Sequence, residues 1–213
     1  MALTGFDPEL VTASINKVQN AYNELLAAIG TDMQNQFVNG MQDKWACNDA
    51  QTFFNSFKAT IDSLITNSNN TFESVVNSMN SAAKAWAEQT GTTWSGKQFS
   101  RNDLKMDITG IKENIGGVRG VDLQATEISG KLPTIAEAAG RALDNSKAAV
   151  SNCGFIGGTS ETDLINSLER IKTSINEAVT QISNDCQKAI ENTTKNYSTL
   201  EVNVSAAFSG SGE

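Results

Sequence analysis

From residue 11 to residue 41, apolar side chains recur at steps of three and four: Val11, Ile15, Val18, Tyr22, Leu25, Ile29, Met33, Phe37 and Met41. Asn, Gln, Thr, Lys and Glu fill the places between them, so this stretch reads as a helix with one apolar face. A second stripe follows at the same spacing: Phe54, Phe57, Ile61, Leu64, Phe72, Val75, Met79, Ala82 and Trp86, with Ser68 where an apolar residue is expected. Two long amphipathic helices joined by a short reversal pack antiparallel. Each has one apolar face, so the hairpin still leaves surface to cover.

The reversal is Lys44-Trp45-Ala46-Cys47-Asn48-Asp49. The Trp45 indole is large enough to fold back between the helices, and the small Cys47 lets the chain turn closely. Asn48 and Gln51 have capping-box spacing for the outgoing helix. At the head of the first helix, Asp7-Pro8-Glu9 supplies an N-cap, a proline suited to the first helical position and an acidic first turn. The polar run Asn67-Ser68-Asn69-Asn70 predicts looser packing midway along the second helix.

Residues 91–106 read as a linker after the first hairpin, residues 1–90. It contains Trp94-Ser95-Gly96, taken as an aromatic packing on the bundle rather than a helix reversal. Helical periodicity resumes at 107–208, with Ile108, Ile111, Ile115, Val118, Ala125, Ile128, Leu132, Ile135, Ala139, Leu143 and Val150. Pro133 removes a backbone hydrogen bond and predicts a break near Gly130–Pro133. A fourth stripe follows the turn at Phe155-Ile156-Gly157: Leu164, Leu168, Ile171, Ile175, Val179, Ile182, Cys186, Ile190 and Tyr197. Residues 209–213 read as a disordered tail. The expected fold is all-α, two antiparallel helical hairpins packed as an elongated four-helix bundle.

Several functional classes are disfavoured. There is no histidine, which removes the commonest general base and imidazole metal ligand. Cys47, Cys153 and Cys186 lack the paired spacing of a zinc site and are odd in number, so they are read as three free thiols. Gly116-Gly117-Val118-Arg119-Gly120 follows no strand and opens no phosphate loop. Carboxylates alone leave an enzyme open, but nothing favours one; the reading is non-enzymatic, with no catalytic residue, cofactor or metal. A net charge of −8 argues against nucleic acid and anionic membrane partners, and no apolar run approaches a membrane span. The first residues lack the basic and apolar regions of a secretory signal.

The two halves also repeat. Trp45-x-Cys47 and Phe155-x-Gly157 each place an aromatic, a spacer and a small residue at the reversal, and each is followed by a distal aromatic, Trp86 or Tyr197. Near the C-terminus, Tyr197-Ser198-Thr199-Leu200-Glu201 puts a phenol and a carboxylate four residues apart on one helical face. These features resemble the early-secreted-antigen-like WXG superfamily, helical hairpins with a Trp-x-Gly turn that are substrates of type VII secretion. The likeness covers nearly the whole chain, as two fused units. Cys47 stands where the family has glycine, and Phe155 where it has tryptophan.

The resemblance implies a protein made in the cytoplasm and secreted without a signal peptide, acting through protein–protein contact. Its partners would be the type VII machinery and its ATPase, with a second copy or a WXG-like protein as a further partner and membrane insertion not expected. It also implies that Tyr197 and Glu201, together with the Phe155 turn, form the export signal. The rival reading is a cytosolic helical adaptor or chaperone for a larger type VII effector.

Overall fold

The structure, a computed structural model, describes residues 5–156 and 161–209. Gly157, the small residue of the second turn, therefore lies outside the described residues, as do residues 210–213 of the expected tail. The elements in order are β1 (Gly5–Phe6), α1 (Pro8–Leu26), a π-helical stretch (Ala27–Val38), α2 (Asn39–Met41), β2 (Trp45–Ala46), α3 (Asn48–Thr90), β3 (Gly120–Val121), α4 (Gln124–Ser129), α5 (Leu132–Ser151), β4 (Phe155–Ile156) and α6 (Glu161–Ser209). The fold is all-α apart from the two-residue strands.

The first helix begins as its sequence dictates, with the Asp7 carboxylate accepting from the backbone N–H groups of Glu9 and Leu10 at 3.0 Å each. All nine residues of its stripe are buried. Beyond Leu25 the apolar steps are four, four, four and four. In an α-helix each step of four rotates the stripe by about 40°. The π-helical stretch Ala27–Val38 widens the turns and unwinds that drift, keeping Ile29, Met33 and Phe37 on the core side. The capping box expected at Asn48 is absent: Asn48 is already helical, and Cys47 at the cap makes no side-chain hydrogen bond to it.

Each hairpin packs on the other. α1 lies against α3 and α5, and α6 against α3 and α5, so the four helices form a closed square. The two turns sit at opposite ends, each tied to the head of the other hairpin. Strand β2 in the first turn pairs antiparallel with β3, matching Trp45 with Val121; β4 in the second turn pairs antiparallel with β1, matching Phe155 with Phe6. The ties are equivalent in detail. Asp7 donates its backbone N–H to the Gly154 carbonyl at 2.9 Å, and Asp122 donates to the Lys44 carbonyl. Gly5-Phe6-Asp7 and Gly120-Val121-Asp122 are thus the same device used twice, which gives the bundle an internal pseudo-two-fold. Gly154 has φ +88°, and a Cβ there would lie 3.0 Å from the Leu10 Cβ and 3.1 Å from the Asp7 carbonyl, so this approach needs glycine.

Helix does not resume at 107. Residues 91–119 carry no helix and run along the outside of the first hairpin, in the groove between its helices. The spacing of Ile108, Ile111, Ile115 and Val118 mimics a helical face. Instead, Ile111 is buried, while Ile115 and Val118 pair across Gly116 and Gly117, whose positive φ values of 58° and 85° suit a two-residue hairpin turn. Further on, helix breaks at Gly130–Lys131, with Pro133 in the first turn of α5, as expected.

The crossing chain is gripped by its backbone. The Asn80 amide both donates to and accepts from Lys97 (2.7 and 2.9 Å), Gln19 does the same to Ser100 (3.0 and 2.8 Å), and Gln34 to Asp107 (2.8 Å each). Between them Asn102 donates to the Tyr22 hydroxyl at 2.7 Å, Met106 donates to Asp62 at 2.8 Å, and Lys58 reaches the Met106 carbonyl. Seven residues from Ser100 to Asp107 reach about 23 Å when extended. Gln19 and Gln34, fifteen helical residues apart, would be separated by about 22 Å at the α-helical rise, and by somewhat less across the wider turns from Ala27 on. The crossing chain is therefore stretched out. Asn69 does not mark a loose spot either: it is buried, accepts from Tyr22 at 2.9 Å and donates to Asn102 and Asp103. Trp94 lies in this segment, not at a reversal, and donates its indole N–H to Asn80 at 3.1 Å.

Candidate functional site

The candidate site is the end of the bundle where the Trp45 turn, β3 and the last turns of α6 meet. Trp45 is fully buried, its ring centroid 5.6 Å from Phe53 and 6.1 Å from Phe54. The indole N–H finds no acceptor among the described residues, so Trp45 is held by apolar packing alone. Cys47, the small residue of this turn, is 6% exposed, its Sγ 3.9 Å from the Thr193 hydroxyl. Thr193 bonds the Ala189 carbonyl at 2.8 Å and lies 3.4 Å from the Asp49 carboxylate. These contacts seat α6 on the first turn.

Past Thr193, α6 leaves the bundle, and every residue from 194 to 205 is exposed. Tyr197 is 37% exposed, Leu200 55% and Val204 49%. With Glu201 they fall at i, i+3, i+4 and i+7, a largely exposed apolar stripe with a carboxylate in it, whose base faces the Trp45 turn and β3 across a cavity. Tyr197 and Glu201 make no side-chain hydrogen bond or ion pair among the described residues. At its base the overhang walls a cavity of about 650 Å³ that Lys44, Ala46, Arg119, Val121 and Asp122 complete.

The structure brings Tyr197 and Glu201 together with the Trp45 turn, not with the Phe155 turn. The expectation that Phe155 joins them is corrected by helix geometry: Tyr197 stands 36 residues along α6 from Glu161, about 54 Å away. The Phe155 end is organised differently. Its aromatic is half-buried, and Phe6 stacks on Trp86 beside it at 6.5 Å. Trp86 occupies at that end the place Tyr197 holds at the other, but there it is half-buried, with Phe6 stacked on it.

Sequence reasoning missed the partners that complete the site, β3 and its Asp122. Their signal was the second Gly-x-Asp triplet at 120–122, identical in pattern to the one at 5–7. All three cysteines are free and buried, and burial pushes Cys153 and Cys186 up to about 12, with the Glu161 carboxylate adding to the effect at Cys153. A buried thiol held protonated at neutral pH is a poor nucleophile. Among the described residues no cluster of Cys, Asp or Glu is placed to hold a metal ion, and no helix is long and apolar enough to cross a membrane. Comparison with protein-family models, with curated proteins and with solved structures finds no match to this chain.

Proposed function

We propose that this chain is a type VII-secreted protein, two WXG-like hairpins fused so that each serves as the other's partner, acting by protein–protein contact rather than catalysis. The export signal in this reading is Tyr197 and Glu201 on the α6 overhang, read by the secretion ATPase together with the Trp45 turn beside them. The observation that carries the reading is the bare Tyr197–Leu200–Glu201–Val204 stripe next to that turn. An exposed helix face of this kind is able to enter a groove on a partner. Fusion supports the same view, since it makes hairpin pairing intramolecular and raises the effective concentration of each half.

The test is export from a strain with a working type VII system. Glu201 is exposed, so Glu201→Ala changes stability by less than about 0.5 kcal/mol. It is expected to remain folded and to stay in the cells. Glu191→Ala, ten residues earlier on the same helix, is expected to be exported normally. If Glu201→Ala reaches the medium as well as wild type, the export reading fails, and a cytosolic adaptor that never leaves becomes the better account.

A further inference from the structure

The groove between α1 and α3 is filled by the chain's own residues 97–107, held as an extended peptide by side-chain amides. The pseudo-two-fold turns that groove into the one between α5 and α6, where no segment of main chain among the described residues lies and only the Lys172–Asp144 pair crosses. The two grooves share a particular notch. Gly30 faces the first groove, where an added Cβ would lie 2.8 Å from Leu104 Cδ1, so the missing side chain is what admits that leucine. Gly140 follows Gly30 by 110 residues, as Phe155 follows Trp45. A Cβ at Gly140 would meet only the Lys172 stem, at 3.7 Å.

The rest of the second groove matches this use. It encloses about 570 Å³ over Ala136 and Val179. Its α6 wall presents Asn176, Thr180 and Asn184, whose side chains make no hydrogen bond among the described residues. On the α3 wall of the first groove, Asn69 and Asn80 are engaged by the crossing chain. Lys172 bridges the second groove to both Asp144 oxygens at 2.8 Å, and Lys147 links the same carboxylate to Glu169, so a docking peptide has to displace the Lys172 end of this network.

We infer that the α5/α6 groove is a docking site for an extended peptide segment of a partner protein, one that places a leucine over Gly140 while its backbone is held by Asn176, Thr180 and Asn184. By analogy with residues 97–107, the peptide runs parallel to α5 and antiparallel to α6. The inference does not depend on the export reading, because it is read on the purified full chain.

The probe is a fluorescent synthetic peptide of the chain's own residues 97–107, followed by anisotropy. The crossing segment already fills the first groove at high effective concentration, so added peptide competes poorly there. Saturable binding is expected, weakened at least tenfold by Gly140→Leu, by Thr180→Trp on the exposed wall, and by replacing the peptide's leucine with aspartate. Thr180→Trp keeps the test decisive if Gly140→Leu disturbs folding. No saturation up to millimolar peptide, or saturable binding that neither variant weakens, overturns the inference.

Discussion

The Tyr22 hydroxyl joins α1 to both α3 and the crossing segment, and Tyr22→Phe isolates it. The ring stays in place against Phe72 and Phe99, with centroids at 5.4 and 4.6 Å, so packing is conserved. Three hydrogen bonds are lost, the longest of them from the hydroxyl to the Asn102 carbonyl at 3.3 Å. Asn102 no longer has an acceptor for its backbone N–H at 2.7 Å, and the Asn69 carbonyl loses its donor at 2.9 Å in a fully buried position. Leaving a buried polar group unsatisfied costs about 1–3 kcal/mol. For a chain of this size each kcal/mol lowers Tm by about 2–4 °C.

The loss is expected to be local as well as global. Tyr22 and Asn69 hold the middle of the crossing segment, so hydrogen exchange at Asn102 and Asp103 should quicken more than exchange in α1 or α3. Urea denaturation gives the global number, and amide exchange the local one. Replacing Asn69 by leucine in the same background removes the other buried polar partner, and the double variant should lose less than the two single losses combined. If Tyr22→Phe matches wild type within about 0.3 kcal/mol, with unchanged exchange at Asn102, the hydroxyl does not hold the crossing segment and that reasoning fails.

Two further outcomes follow from burial and space. Gly140→Ala relieves a glycine inside a helix without a clash and should raise stability by about 1 kcal/mol, whereas Gly30→Ala pushes against Leu104. Gly30→Ala should therefore gain less in a melting experiment and open the crossing segment to trypsin at Arg101 and Lys105. The buried thiols should stay silent to a thiol reagent in the native protein, and all three should titrate in urea without reductant; a single reactive thiol in urea would mean a disulfide.

The stripes were legible because helical periodicity reports burial directly. Val11 to Met41 and Phe54 to Met79 are where the apolar pattern puts them, and the helix break before Pro133 follows from proline chemistry. The stretch 107–119 was misread for a reason of the same kind. Extended chain lying in a groove also buries some residues and exposes others, and over so few residues Ile108, Ile111 and Ile115 satisfy either geometry. The polar run at 67–70 was misread because composition does not reveal a partner: Asn69 is buried only because Tyr22 and Asn102 meet it. The joining of Tyr197 with the Trp45 turn was hidden because it depends on which ends of the two hairpins coincide. Helix length alone separates Tyr197 from Phe155, and the matching Gly-x-Asp triplets tell where each turn finds its strand.

The crossing segment is also what makes the fused arrangement possible. In an antiparallel pair of hairpins, α3 ends at one end of the bundle and β3 must begin at the other. α3 has 43 residues, a length of about 65 Å. At about 3.3 Å per residue, roughly 20 extended residues are needed to return along it. The chain uses the 29 residues from 91 to 119, with the surplus taken up by the Gly116–Gly117 turn. Replacing 91–119 by ten Gly/Ser residues keeps the sequence of every helix and both Gly-x-Asp ties while giving up the core contacts of Met106 and Ile111, and the linker cannot span the bundle. Each second hairpin must then pair with the first hairpin of another copy. Light scattering coupled to size-exclusion chromatography should report a dimer of unchanged helix content. A folded monomer with that linker would refute the antiparallel pairing, because only hairpins packed with α3's end beside the head of α4 could be joined by so short a chain.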